Sequence, residues 1–284
     1  MTTDNTQIRE VKEIIEGLPS SDGDGVKLTR IIGTPQLDML DPFLLFDAFS
    51  SDQPQDYIGG FPSHPHRGFE TVTYMLSGKM RHKDSVGNEG VISAGDVQWM
   101  TAGKGIIHSE MPEQESGMLA GFQLWVNLPA SQKMTEPNYQ EIPNDEIPVE
   151  KLAKSGSLKV IAGITRKGTR GKINNQAINP LYWDVNLKDG YTLSETLPKL
   201  HNAFVYVIKG EIKIGNQFKK VKKGQIAVLT NGGEIKISNA SPAQYLLIAG
   251  KQLKEPVHRG GPFVMNSKAE IYQAFADYQN GTFA

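Results

Sequence analysis

Along most of the chain, apolar residues alternate with polar ones or gather in short runs, and each run is cut by glycine, proline, asparagine or aspartate. Residues 70–76 (ETVTYML) stop at Ser77-Gly78, and residues 96–101 (DVQWMT) stop at Ala102-Gly103. β-Branched and aromatic side chains suit a pleated surface, and glycine supplies the backbone freedom that a tight turn needs. Closely spaced strands of this kind predict an all-β barrel or sandwich. Helical periodicity is scarce, the exception lying near the C-terminus. There Ser267 and Glu270 have the spacing of a capping box, and Ile271, Ala274, Phe275 and Tyr278 fall on one face. This predicts a helix over residues 267–279, docked on a barrel.

The second half repeats the pattern of the first. Residues 203–215 (AFVYVIKGEIKIG) and 225–238 (QIAVLTNGGEIKIS) read as strand, turn and strand, and YVIKG at 206–210 sits in a place comparable to YMLSG at 74–78. That hints at an internal duplication. Residues 136–150 (EPNYQEIPNDEIPVE) carry three prolines and many acids without apolar periodicity, which predicts an interdomain linker. With 284 residues, two domains of ordinary size are expected: 1–140, and 141–284 including the helix.

Charge and cysteine content narrow the chemistry. The 30 basic and 31 acidic residues leave a formal charge of −1, so bulk electrostatics give no reason to expect nucleic acid or a membrane surface as partner. The N-terminus lacks a basic region followed by an apolar run, and no stretch approaches membrane-spanning length, so a cytoplasmic location is expected. The absence of cysteine excludes disulfides, thiolate metal sites, iron-sulfur clusters and cysteine nucleophiles, leaving nitrogen and oxygen as metal ligands.

Two short segments offer such ligands. His64 and His66 stand two apart, and on a strand residues i and i+2 project from the same face, so both imidazoles can enter one barrel interior. Pro65 between them suits an edge or irregular strand. His108 and Glu110 repeat the spacing after the glycine-rich TAGKG at 101–105. Of six histidines in the chain, three lie in these two segments. Three imidazoles and a carboxylate suit a borderline divalent metal such as iron, nickel, copper, zinc or manganese better than calcium or magnesium.

The run HPHRGFETVTYMLSGKMRHKDSVGNEG (64–90), followed by GDVQWMTAGKGIIHSEMP (95–112), resembles the pirin family of the cupin superfamily. LDPFLLFDAFSS upstream, GFQLWVNLP downstream and GGPFVMNSKAEIYQAFADY near the C-terminus look like the same family, so the resemblance spans essentially the whole chain. It implies a bicupin, two cupin-type β-barrels with a short C-terminal helix and a metal in the first barrel alone. It implies that His64, His66, His108 and Glu110 hold one divalent ion, commonly iron(II), with manganese, nickel, cobalt, copper and zinc as other occupants. Glu70, the usual cupin carboxylate, competes with Glu110 by parity; the family match favours Glu110 and leaves Glu70 to support a liganding imidazole. The second half has His201 where a metal motif would fall but no paired histidine, so His82, His201 and His258 are expected to be structural or surface residues.

The resemblance implies two functional readings. Several pirins are quercetin 2,3-dioxygenases, which open the heterocyclic ring of a flavonol with dioxygen and release carbon monoxide. Here the partners would be a small aromatic substrate and O2, with Glu110 accepting the proton of the substrate's 3-hydroxyl. Phe61, Phe69, Tyr74, Met75, Trp99, Met100, Phe122 and Trp125 could wall a flat ring, although strand aromatics mostly fill cores. Other pirins act as regulatory partners, a nuclear coregulator among them. On that reading Arg67, Lys79, Arg81, Lys83 and Lys104 would give a positive face to a protein partner. A purely structural metal ranks last, because three histidines and a carboxylate resemble an open catalytic site.

Overall fold

The computed structural model describes residues 7–152, 156–173, 175 and 177–284. Their regular structure is antiparallel β-sheet with one α-helix, Lys268–Gln279. The chain divides into two compact units: residues 18–144 with 253–284, and residues 145–252 with the N-terminal segment up to Gly17.

In the first unit a seven-stranded sheet runs, in spatial order, Asn138–Ile142, Val97–Thr101, Phe69–Ser77, Leu119–Asn127, Phe43–Ser51, Val26–Ile32 and Leu18–Asp22. A four-stranded sheet runs Phe61–His66, Ile106–Pro112, Lys79–Asp84 and Glu89–Ser93. The inner strand Phe69–Ser77 is buried at every position as far as Met75, as expected for a strand covered on both faces.

The second unit repeats this plan. Its seven strands run Val11–Glu16, Gln225–Leu229, Asn202–Lys209, Ala243–Gly250, Leu181–Leu187, Gly156–Ala162 and Val149–Lys151. Its four run Thr192–Thr196, Glu234–Ser238, Glu211–Ile214 and Lys219–Lys222. Here burial alternates: Ile212 and Ile214 point inward while Glu211 and Lys213 are more accessible. YMLSG and YVIKG close equivalent strands and turn into equivalent neighbours, which accounts for the internal repeat.

Both chain ends differ in placement from a single division near residue 140. Val11–Glu16 pairs with Gln225–Leu229 in the second unit, and Arg9 fixes the entry by donating to the carbonyls of Gly232, Thr230 and Pro198 at 2.8, 2.9 and 2.8 Å. The C-terminal hairpin, His258–Gly260 with Phe263–Met265, and the helix belong to the first unit. The proline-rich stretch does hold the boundary between the units, at Asn144 and Asp145, but it is no free linker, since it carries Asn138–Ile142 and begins Val149–Lys151. Pro137, Pro143 and Pro148 flank these strands instead of interrupting them, so the ladder bonds survive.

The helix begins where the capping box places it. Ser267 Oγ accepts from Glu270 N–H, and Glu270 in turn accepts from the Ser267 hydroxyl and from Asn266 N–H. Ile271 and Ala274 are buried, while Phe275 and Tyr278 present ring edges to Phe263 from the border. No helix among the described residues is long and apolar enough to cross a membrane.

Candidate metal centre

The first unit's four-stranded sheet brings the two histidine-bearing segments together. Phe61–His66 is its edge strand, where Pro65 is tolerated. Ile106–Pro112 lies beside it with His108 opposite His64 and Ile106 opposite His66, and on its other flank Glu110 faces His82. A register shift between His108 and Glu110 marks a bulge against the edge strand. The turn after His66 requires glycine: Gly68 has φ +87°, and a Cβ there would lie 2.0 Å from the Val264 carbonyl oxygen. Lys133 locks this turn, its buried ammonium donating to the carbonyls of Gly68 and Val264 and to Asn127 Oδ1. Burial lowers the Lys133 pKa to about 8.

One ring nitrogen from each of His64, His66 and His108 falls within 4.8 Å of the others. His64 Nε2 and His66 Nε2 are 3.0 Å apart. His64 Nδ1 is 2.8 Å from the Pro62 carbonyl oxygen and His66 Nδ1 is 3.4 Å from that of Pro262. A carbonyl can only accept, so both Nδ1 atoms carry a proton, and in the neutral rings both Nε2 atoms are bare lone pairs. Two bare lone pairs at that distance repel one another unless a cation lies between them. Nitrogen ligands bound at about 2.1 Å and near right angles have the same separation, about 3 Å. His108 Nε2 is buried without a hydrogen-bond partner. Burial, and then the neighbouring imidazoles, push the pKa of His66 and of His108 well below 6.5, so both are neutral and fit to ligate. The residues therefore fit a divalent transition metal.

Glu110 stands outside the three-histidine cluster. Its Oε1 accepts from the Thr73 hydroxyl at 3.0 Å and its Oε2 from the Gln123 amide at 3.2 Å. All three line a cavity of about 760 Å³ together with His64 and His66. Leu28, Leu45, Phe49, Phe61, Met80 and Trp125 make its apolar walls. Arg30 and Asp47 form a two-point ion pair on its lining, at 3.0 and 2.8 Å.

Other expectations meet a different geometry. Of the eight candidate wall residues, Phe61 and Trp125 line the cavity, whereas Phe69, Tyr74, Met75, Trp99, Met100 and Phe122 are buried packing. Glu70 lies beyond the Gly68 turn on another strand, so the parity that tied it to His64 and His66 is broken, and it accepts from the Thr101 hydroxyl at 2.7 Å. The positive rim is largely neutralised. Arg81 pairs with Glu89 and Glu113, Lys83 with Glu89 and Lys104 with Glu136. Arg67 is buried, bonded to Asp277, to the Lys104 carbonyl and to the Phe283 carbonyl, with its guanidinium over the Phe283 ring.

His82, expected to be a structural or surface residue, is 1% exposed and lies beside the cluster. Its Nδ1 is 3.4 Å from His108 Nδ1, its Nε2 is 3.0 Å from Asp84 Oδ2, and its ring stacks on Tyr139. The signal was in the sequence: His82 and Asp84 share the two-residue spacing of the other pairs.

Two seven-plus-four-stranded β units, one with a three-imidazole centre beneath a cavity, define a bicupin with a metal-fitting first barrel. The chain belongs to the pirin family: residues 25–126 match Pirin and residues 182–284 match the Pirin C-terminal cupin domain. It is 50% identical over 276 residues to a pirin-like protein of Caulobacter vibrioides, covering 97% of this chain and 99% of that one. It is 44% identical to pirin of Homo sapiens over 265 residues, covering 92% and 89%. Among solved structures, a quercetin 2,3-dioxygenase from Acinetobacter baumannii superposes with a TM-score of 0.90 at 34% identity, covering 98% of this chain and 99% of that chain.

Proposed function

We propose that the chain is a metal-dependent dioxygenase that opens the heterocyclic ring of a flavonol-like substrate with dioxygen, in the manner of quercetin 2,3-dioxygenase. The observation that carries this reading is the convergence of bare imidazole nitrogens on a roomy, partly aromatic cavity with a carboxylate on its wall. His64, His66 and His108 would hold the ion, with Glu110 as the carboxylate ligand. Iron(II) bound there supplies Lewis acidity toward the substrate's 3-hydroxyl and redox chemistry toward dioxygen.

The chain's own residues do the rest. Phe61, Trp125 and Phe49 offer flat apolar surface that orients a ring system and keeps water from it. Glu110, held by Thr73 and Gln123, takes the proton of the 3-hydroxyl on a carboxylate oxygen and leaves the substrate electron-rich. The regulatory reading draws less support, because the lysines and arginines that would form its positive face mostly have acidic partners.

Oxygen uptake by iron(II)-loaded protein with quercetin tests the proposal. Uptake is expected to fall to background in His108→Ala. In Glu110→Gln it is expected to fall about 10²- to 10⁴-fold with the ion retained. Undiminished uptake in His108→Ala would refute the site.

A further inference from the structure

The three imidazoles of the cluster are not held alike. For His64 and His66 the atom facing Nδ1 is a main-chain carbonyl, which fixes the proton on Nδ1 by itself. For His108 the facing atom is Nδ1 of His82, and an imidazole nitrogen can either donate or accept. Which it does depends on the next residue. Asp84 Oδ2 lies 3.0 Å from His82 Nε2 and also accepts from Asn88 Nδ2 at 2.9 Å, while Asp84 Oδ1 accepts from the backbone N–H groups of Val86 and Asn88 at 3.1 and 2.9 Å. Surrounded by donors, the carboxylate acts only as acceptor, so the neutral His82 ring carries its proton on Nε2 and offers a lone pair at Nδ1. His108 then donates from its own Nδ1, and its Nε2, buried without a partner, is left bare.

We infer that His82 and Asp84 are positioning residues that set the tautomer and ring orientation of His108, so that its Nε2 is presented to a transition-metal ion. This rests on the ion-site reading above and assigns a role to residues outside the proposed ligand set. The arrangement is well fixed: Asp84 is tied at both oxygens, and His82 is sandwiched between that carboxylate and His108 with Tyr139 stacked on its ring at 4.7 Å. Partners of liganding histidines typically carry a 10- to 100-fold share of metal affinity.

The sharpest variant is Asp84→Asn. Asparagine keeps the volume and one oxygen, which the N–H groups of Val86 and Asn88 claim, so its amide nitrogen faces His82 Nε2. His82 must then move its proton to Nδ1 and donate to His108 Nδ1, which forces the proton of His108 onto Nε2, the ligand nitrogen. His82→Phe keeps the stacking ring but removes the acceptor, and His82→Asn restores an acceptor close to the place of Nδ1.

The test is nickel(II) titration of each folded protein in competition with a chelator, together with long-range proton–nitrogen NMR of the histidine rings in metal-free protein. Asp84→Asn and His82→Phe are expected to bind nickel about 10- to 100-fold more weakly, with His82→Asn close to the parent. The spectrum of the parent is expected to show His108 protonated on Nδ1 and His82 on Nε2, and that of Asp84→Asn the reverse. Parent protein with His108 protonated on Nε2 would overturn the inference without any variant having to fold. So would parent-like nickel affinity in both variants. If the parent bound no nickel, the ion-site reading and this inference would fall together; if the parent and the variants bound it equally, only this inference would.

Discussion

The two units share a strand order, yet their interiors have opposite characters. On the edge strand, its neighbour and the third strand of the small sheet, the first unit carries His64 and His66, His108 and Glu110, and His82 and Asp84. On the equivalent strands the second unit carries Leu193 and Glu195, Ile235 and Ile237, and Ile212 and Ile214. Leu193 and the four isoleucines join one closed apolar cluster with Trp183, Tyr245 and Leu247, none above 2% exposed. The sheet thus offers the same inward pairs in both places, and residue type alone decides whether they fill a core or surround a cavity. Glu195, the one acid among the second unit's pairs, is spent on the Arg166 backbone N–H at 2.7 Å.

If this contrast is real, equivalent truncations should differ widely in cost. Leu193→Ala opens a void in a closed core and is expected to destabilise the protein by about 2–5 kcal/mol. His66→Ala, at the matching strand, opens onto an existing cavity and removes one of two mutually repelling nitrogens. In metal-free protein it should cost less than half as much while abolishing nickel binding. Denaturant unfolding of both variants without metal measures this. Equal costs would mean that the first unit depends on its histidines for packing and that the contrast is superficial.

Much of this was legible in the sequence because same-face spacing is a local property. The pairs 64/66 and 108/110 declare themselves on any strand, as does the capping box at Ser267 and Glu270. What spacing cannot convey is where a strand ends: the turn at Gly68 separates Glu70 from the histidines it seemed to accompany. His82 reads as a structural or surface residue because only the tertiary pairing of Lys79–Asp84 with Ile106–Pro112 brings it to His108. The prolines at 137, 143 and 148 read as linker composition, although they only flank the strands between them. Arg67 read as a rim charge because the carboxylate that pairs with it, on Asp277, is more than two hundred residues away.

A pH titration sharpens the comparison from the second unit's side. His201 is buried with Nδ1 unpartnered, and burial, followed by the charges of Arg9 and Lys251, lowers its pKa from 6.5 to about 4. A base whose folded pKa is depressed contributes stability that is present above pH 6.5 and is lost as the pH falls from 6.5 toward 4, because the unfolded chain takes up the proton first. The expected slope is about 1.4 kcal/mol per pH unit for this residue. Stability measured from pH 7.5 to pH 4 should therefore fall less steeply in His201→Asn than in the parent by about that amount. Identical slopes would show that His201 titrates normally and that the second interior is wetter than its apolar cluster implies.

The smallest effect concerns the segment that only the first unit acquires from the C-terminus. Pro262, in the hairpin on which the helix docks, supplies the carbonyl facing His66 Nδ1, so a weakened helix could in principle loosen the centre. Ser267→Ala removes the cap and should cost about 1 kcal/mol. Nickel affinity should nonetheless hardly change, because Arg67 still ties Asp277 and the Phe283 carbonyl beside the cluster, and Lys133 still binds the Val264 carbonyl. If Ser267→Ala weakened nickel binding as strongly as Asp84→Asn, control of the centre would lie with the C-terminal segment, and the inward pairs of the small sheet would not suffice to explain why one barrel holds a site and the other does not.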